Sequence, residues 1–402
     1  MTKQSKSFSP NEGLERAIEL LHQTPELTEN LPEKFPDFGR GEDETLNLLA
    51  PYVLGRATRL DSPISFAHMD PPTPWITWAM SLWNARLNQN LLHSASAPFA
   101  VEAEKKVIDW LTPFYGMDGG HMCSGSTIAN ITALWAAREV RGVKKVVASR
   151  SAHFSIAKAA SLLGLSYEQI PTDVLGRLNL NEIEDMSDAC LVLTAGTTDT
   201  GAIDPLVLVG QAKWTHVDAA WAGPLRLSLT HAYLLDGITG ADSIAVSAHK
   251  WLFQPKDSSL IMFRDTELAN SGISFGGSYL AAPNVGLQGS RGAAAVPLLA
   301  TMVALGRAGI VGLVDHSMSL ATKLATELNQ EGYVRLWAMP ETGVTLFQPT
   351  KFDTQDFYER LPKGMFSTCV IDEEMWVRSV AANPLADIDK IIEIVRKTAT
   401  HL

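Results

Sequence analysis

The chain has 402 residues, 46% of them hydrophobic and 19% charged, with a net charge of −11. That length holds a large domain plus a smaller one, and the acidic balance argues against a general binder of nucleic acid or of an anionic membrane. Three cysteines, Cys123, Cys190 and Cys369, are too few and too scattered for a disulfide framework or a zinc site.

The opening residues 1–7 carry no apolar stretch, so no signal peptide is expected. Residues 1–62 are polar and helical in places. Leu14, Ile18 and Leu21 give residues 11–23 one apolar helical face. From about Ser65 the pattern changes. Helix-like stretches at 75–91, 101–114 and 127–140 are followed by short apolar runs at 145–148, 190–194, 215–217, 243–246 and 258–263. Strands alternating with helices predict an α/β fold, a mainly parallel sheet covered on both faces. A long helical stretch follows over 293–329. The remainder, 334–402, mixes short strands with a final helix near 387–398, which predicts a small α/β domain. The longest apolar run, around 293–305, contains Pro297 and is too short for a bilayer. A cytoplasmic location with no membrane partner is the expectation.

Several of these strands end on chemistry-bearing residues. Asp218 closes one apolar run, in His-Val-Asp-Ala-Ala, and Lys250 follows another, in Ser-Ala-His-Lys-Trp. A lysine can form an imine with an aldehyde, and a carboxylate can hold a pyridine nitrogen protonated, so the pair suits pyridoxal 5′-phosphate. Ser124, Gly125 and Ser126 precede a strongly helical stretch, where exposed N–H groups and the helix dipole suit a phosphate. The same small residues are also ordinary helix caps. His153 follows a strand, and Thr198 ends the turn 194–198; each has a bland structural reading as well. Ligands in open α/β sheets bind at the carboxyl ends of strands, which is where these residues fall together. His216 and Asp218 have metal-like spacing but no third ligand nearby, so no metal is expected.

These segments resemble the group II pyridoxal-phosphate-dependent amino-acid decarboxylases, the family of the glutamate and aromatic amino-acid enzymes. The likeness runs from about His68 to the C-terminus. It includes Asn88-Gln-Asn90, Glu104 with Asp109-Trp-Leu111, Ser124-Gly-Ser126, Ala152-His153, Gly196-Thr-Thr198, Asp218-Ala-Ala220, His249-Lys250, Tyr279-Leu280 and Gly289-Ser-Arg291. It implies fold type I, with an N-terminal helical segment (1–62) in dimer contact, a large cofactor domain (63–312) and a small C-terminal domain (313–402). It implies a homodimer with interfacial sites.

The resemblance also implies roles. Lys250 would carry the cofactor, Asp218 would meet its pyridine nitrogen, Ala220 would lie beneath the ring and His153 would stack above it. Thr198 would contact the phenolic oxygen. Ser124, Gly125, Ser126, Ser247 and His249 would bind or support the phosphate. Arg378 would grip the substrate carboxylate; its plain alternative is a structural ion pair. Tyr279 would return a proton to the carbon that loses CO2, from a loop near the dimer interface, although only eleven residues separate it from Arg291. Asp70 would suit a cationic side chain if it points inward. The implied reaction converts an L-amino acid to its amine and CO2, through an external aldimine and a quinonoid. The alternatives are carbon–carbon cleavage, oxidative deamination to an aldehyde, and cofactor binding without turnover.

Overall fold

Residues 12–23, 26–27, 29–183, 185–330 and 332–400 are described by the structure, a computed structural model. Residues 1–7, where no signal peptide was expected, and Asn11, the first residue of the expected N-terminal helix, lie outside them. The chain divides into two compact units at Arg59/Leu60.

The first unit holds α1 (Glu12–Leu20) and α2 (Glu42–Val53). Glu42, Asp43 and Glu44 crowd the first turn of α2, where carboxylates complement the helix dipole. Ala17, Leu20, Leu46, Leu49 and Val53 line an apolar groove of about 700 Å³ between the two helices.

The second unit opens with α3 (Trp75–Leu87), α4 (Pro98–Tyr115), β1 (Gly119–Cys123), α5 (Ser126–Arg141), β2 (Lys145–Ser149), α6 (Phe154–Leu163), β3 (Ser166–Ile170), β4 (Ala189–Thr194), β5 (Trp214–Asp218), β6 (Ser243–Ser247) and β7 (Ser259–Phe263). The seven strands form one sheet in the order β1-β7-β6-β5-β4-β2-β3. It is parallel except for β7, which runs against both of its neighbours. Alternate residues of each strand face opposite sides. Val147, Leu191, Leu193, Val217 and Ile244 pack on one face with Val107 and Leu111 of α4. Val146, Ala148, Cys190, Val192 and Ala245 pack on the other with Leu134 of α5 and Ile156 of α6. Two strands, β1 and β3, were not expected. Both lie at sheet edges, where a strand is half solvated and needs no continuous apolar run.

After β7 come α7 (Thr266–Ile273), β8 (Ser274–Phe275), β9 (Asn284–Val285) and α8 (Ala295–Gln330). The last elements are β10 (Val334–Leu336), β11 (Val344–Pro349), α9 (Thr354–Arg360), β12 (Ser367–Ile371), β13 (Glu374–Val380) and α10 (Ile388–Thr400). The final four strands make an antiparallel sheet in the order β10-β11-β13-β12. The domain boundary expected at 312/313 falls inside α8, whose one non-helical residue is Gly306 at φ 62°. The two ends of this helix serve different cores. Leu298 and Ile310 pack under the large sheet, while Leu320, Leu324 and Leu328 pack with Phe347, Phe357 and Val395 under the small one. Both sheets belong to the same compact unit. At 36 residues and a mean hydropathy of 1.8 over its most apolar window, α8 is long enough for a bilayer, unlike the shorter run read from the sequence. Packing under the sheets covers only part of that apolar surface, because 22% of the window is buried within this chain.

Candidate active site

The carboxyl ends of β2, β4, β5 and β6 lie side by side, because these strands are parallel neighbours in register. Thr194 pairs with Asp218 across β4 and β5, and Asp218 with Ala245 across β5 and β6. The turns that follow carry His153, Thr198, Asp218 with Ala220, and Ser247 through Lys250. The structure thus gathers most of the expected residues at one edge of the sheet.

Asp218 is buried. Its Oδ1 accepts the Ala220 N–H at 3.1 Å, and its Oδ2 accepts from Asn130 Nδ2 at 2.8 Å. Lys250 sits one turn beyond β6, held by Trp251 and Trp221, whose rings lie 3.9 Å apart between centroids. Those indoles donate to backbone carbonyls of the C-terminal region, Trp221 to Thr342 at 2.6 Å and Trp251 to Ala381 at 3.3 Å. The lysine backbone is therefore clamped between the two sheets. Burial lowers the pKa of Lys250, Asp218 and Asp70 oppose that shift, and Lys256 and Arg378 add to it. A lysine biased toward its neutral amine beside a carboxylate is a nucleophile for an aldehyde.

Hydroxyls gather at the start of α5. Ser126 Oγ contacts Ser247 Oγ and lies 3.1 Å from Ser259 Oγ, which donates to the Val246 carbonyl at 3.0 Å. The N–H groups of Ser126 and Thr127 precede the first bonds of this 16-residue helix, which Ile128 and Ala129 donate to the Gly125 carbonyl at 3.0 and 3.1 Å. A cavity of about 400 Å³ opens beside Ser124, lined also by Lys256, Ser258, Gln288 and Arg291. Ser258 Oγ is buried there with no hydrogen-bond partner. An orphaned hydroxyl and a helix N-terminus, beside Lys256 paired with Asp70 and Arg291 paired with Glu104, fit a phosphate monoester, so the residues present fit pyridoxal phosphate. The Ser124 N–H is taken by Gln288 Oε1 at 2.9 Å. His249 donates from Nδ1 to the Ser258 carbonyl at 2.9 Å, and burial pushes its pKa down to about 4. A neutral His249 has an accepting Nε2, so its visible part is to anchor the lysine turn.

Arg378, 6% exposed, reaches the same region from β13. Its Nε donates to the Thr198 carbonyl at 2.7 Å, and its Nη1 donates to the Ala67 carbonyl at 3.2 Å and to Ser367 Oγ at 3.1 Å. None of these is the ion pair that was its plain alternative, and none uses Nη2. Asp70 forms an ion pair with Lys256, so its carboxylate already has a cation. Tyr279 is 72% exposed and lies apart from the other residues. Its ring approaches His93 at 6.4 Å, in a cleft whose lining includes none of Lys250, Asp218 and His153. His216 is no open metal ligand: Ser243 Oγ and Asn130 Oδ1 occupy its two nitrogens at 2.9 and 3.0 Å. Asn130, Ser155, Ser258, Ser259 and Gln288 were not read from the sequence, where single polar residues inside helices and loops carry no pattern.

A parallel sheet with a buried carboxylate, a half-buried lysine and a phosphate-ready helix at one edge defines a fold-type I pyridoxal-phosphate enzyme. Residues 25–349 match the family described as Pyridoxal-dependent decarboxylase conserved domain, and the chain belongs to that family. It is 28% identical over 419 residues to the L-2,4-diaminobutyrate decarboxylase of Rhizobium meliloti (strain 1021), covering 92% of this chain and 84% of that one. The Aromatic-L-amino-acid decarboxylase of Bacillus atrophaeus is 24% identical over 420 residues, with 92% and 88% covered. In fold, the chain matches the crystal structure of Oryza sativa TDC with PLP and tryptamine at a TM-score of 0.85 and 20% identity, over 100% of this chain and 98% of that one. The protein is a pyridoxal-phosphate-dependent amino-acid decarboxylase, a carboxy-lyase. Neither the carbon–carbon lyase nor the oxidative alternative is favoured by these likenesses.

Proposed function

We propose that this site removes CO2 from an L-α-amino acid with the following division of labour. Lys250 holds the cofactor aldehyde, Asp218 meets the pyridine nitrogen, and Ala220 and His153 bound the two ring faces. Thr198 meets the phenolic oxygen. Ser124, Gly125, Ser126 and Ser247 form the phosphate cradle, with His249 supporting it. Bound pyridoxal phosphate supplies an electron-accepting ring, and Asp218 keeps that ring's nitrogen protonated. Arg378 directs Nη2, the nitrogen it does not spend on the protein, to the substrate carboxylate. Its ties to Thr198 and Ala67 fix the plane of the guanidinium, which sets the direction of the bond that breaks. Asp70 serves the substrate side chain through its pair with Lys256. Tyr279 returns the proton to the substrate carbon.

The observation that carries this reading is that Asp218 and Lys250 lie at the carboxyl ends of neighbouring parallel strands, β5 and β6, with Asp218 opposite Ala245. Lys250→Ala should abolish both turnover and the imine absorbance of the loaded protein. Normal amine production by that variant, read by mass spectrometry across the common amino acids plus 2,4-diaminobutyrate and cysteine sulfinate, would sink it.

The reading includes a homodimer and a cytoplasmic location. Trp75, Trp78 and Trp83 of α3 are 69%, 53% and 59% exposed, an apolar face of the kind a subunit interface covers. Sedimentation at low concentration tests the first, with a monomer counting against it. The three cysteines are free thiols, which fits a reducing compartment; cell fractionation tests the second.

A further inference from the structure

A buried chain of hydrogen bonds runs beneath the site, and its polarity follows from one group. Asp218 can only accept, so the amide end of Asn130 that faces its Oδ2 at 2.8 Å must be the nitrogen. The oxygen of Asn130 then faces His216 Nε2 at 3.0 Å, which must carry a hydrogen. His216 Nδ1 is left as an acceptor, served by Ser243 Oγ at 2.9 Å, and that oxygen accepts in turn from Trp214 Nε1 at 2.9 Å. A neutral ring completes this chain, and burial, which pushes the His216 pKa down to about 4, favours it.

The second amide hydrogen of Asn130 goes to Ser155 Oγ at 2.9 Å. Having accepted there, Ser155 turns its own hydrogen to His153 Nδ1 at 2.8 Å. The Ser155 backbone N–H reaches the same nitrogen at 3.3 Å, where His153 caps α6. A backbone N–H cannot accept, so Nδ1 holds a lone pair, and the neutral His153 carries its hydrogen on Nε2. Flipping the Asn130 amide would set an oxygen against the Asp218 carboxylate and an N–H against the His216 N–H. Only one orientation of the chain satisfies every member.

We propose that Asn130 is a positioning residue for the cofactor and substrate: its single amide orients the Asp218 carboxylate and, through Ser155, fixes His153 as the Nε2–H tautomer. The inference rests on the roles given above to Asp218 and His153. It adds that the two are coupled, and that His153 presents a donor, the group a substrate carboxylate needs. Protonating Nδ1 would break both bonds from Ser155. Burial also holds the ring below the ordinary histidine range; Asp218 opposes this, while Lys250 and Lys158 reinforce it.

The test is nitrogen NMR of the holoenzyme labelled at histidine, together with cofactor affinity. In the parent protein His153 and His216 should both report neutral Nε2–H rings near neutral pH; an Nδ1–H or cationic His153 overturns the proposal. Ser155→Ala removes one donor to the His153 lone pair and leaves the helix intact. The neutral ring loses stabilisation, so the His153 titration midpoint should move to higher pH. The nearly isosteric Asn130→Asp sets an oxygen against Asp218 and should weaken cofactor retention on the order of tenfold, with His153 shifting between tautomers. Wild-type spectra and affinity in Asn130→Asp overturn the proposal. The Asp218→Ala variant separates the two levels. If it retains cofactor normally, the site assignment fails too; if it loses cofactor while Asn130→Asp does not, only the coupling fails.

Discussion

Lys250 is pulled two ways, by burial that favours the amine and by Asp218 that favours the ammonium, and burial prevails. Its folded-state pKa therefore lies below the ordinary lysine range. The chemical consequence is that the cofactor-free protein offers a reactive amine at lower pH than a lysine in water. Labelling by a small acylating reagent, followed by peptide mass spectrometry across pH, should show Lys250 reacting at lower pH than the lysine of a short model peptide. Asp218→Asn removes the charge that props the ammonium up, so the Lys250 profile should move further down. A profile matching that of the model peptide would contradict the electrostatics. Lys250 and Asp218 were legible in the sequence because each ends an apolar run, and a strand end in a parallel sheet is where ligands bind. Asn130 was not legible. It lies in mid-helix, fully buried, and its meaning depends on a carboxylate 88 residues away. Asp70 illustrates the same limit: its place near the site could be guessed, but its pairing with Lys256 needed coordinates.

At the scale of elements, the turn after β4 shows how tightly the site is packed. Gly196 has a φ of +92°, and a Cβ there would lie 2.7 Å from Trp221 Cδ1 and 3.2 Å from Ala222. Trp221 in turn packs at a tilt against Trp251, the neighbour of Lys250. Gly196→Ala should therefore cost about 1–3 kcal/mol through backbone strain alone. It should also loosen the clamp on the lysine turn, seen as a lower Tm and faster cofactor loss. Gly312 in α8 has open space and ordinary helical geometry, so Gly312→Ala should leave both unchanged or slightly improved. Equal behaviour of the two variants would show that the turn is less constrained than its geometry implies. The central strands and the longer helices could be read from periodicity, since each buries a face. The edge strands β1 and β3 could not, because a half-solvated strand of mixed composition looks like a loop. The continuity of α8 was read as a helical stretch over 293–329, and a domain boundary at 312/313 falls inside it because one helix feeds two cores.

At the scale of the whole molecule, the position of Tyr279 separates two routes for proton donation. The tyrosine is largely exposed and faces a cleft containing His93 and His121, away from Lys250. If it donates a proton in this reaction, the receiving site belongs either to its own chain after a large loop movement or to a second copy. The two routes differ in what mixed dimers can do. In the proposed homodimer, chains carrying Lys250→Ala and chains carrying Tyr279→Phe are each impaired when paired with themselves. Unfolding and refolding them together makes mixed dimers. Under exchange across the interface, such a dimer has one site with Lys250 from one chain and Tyr279 from the other. Random pairing should then restore roughly a quarter of the sites. Under donation within one chain, each site of the mixed dimer lacks one of the two groups, and activity stays at the level of the Tyr279→Phe component. The second result would require the loop to close over its own site, which predicts that a disulfide tethering it in the exposed position would inactivate the enzyme.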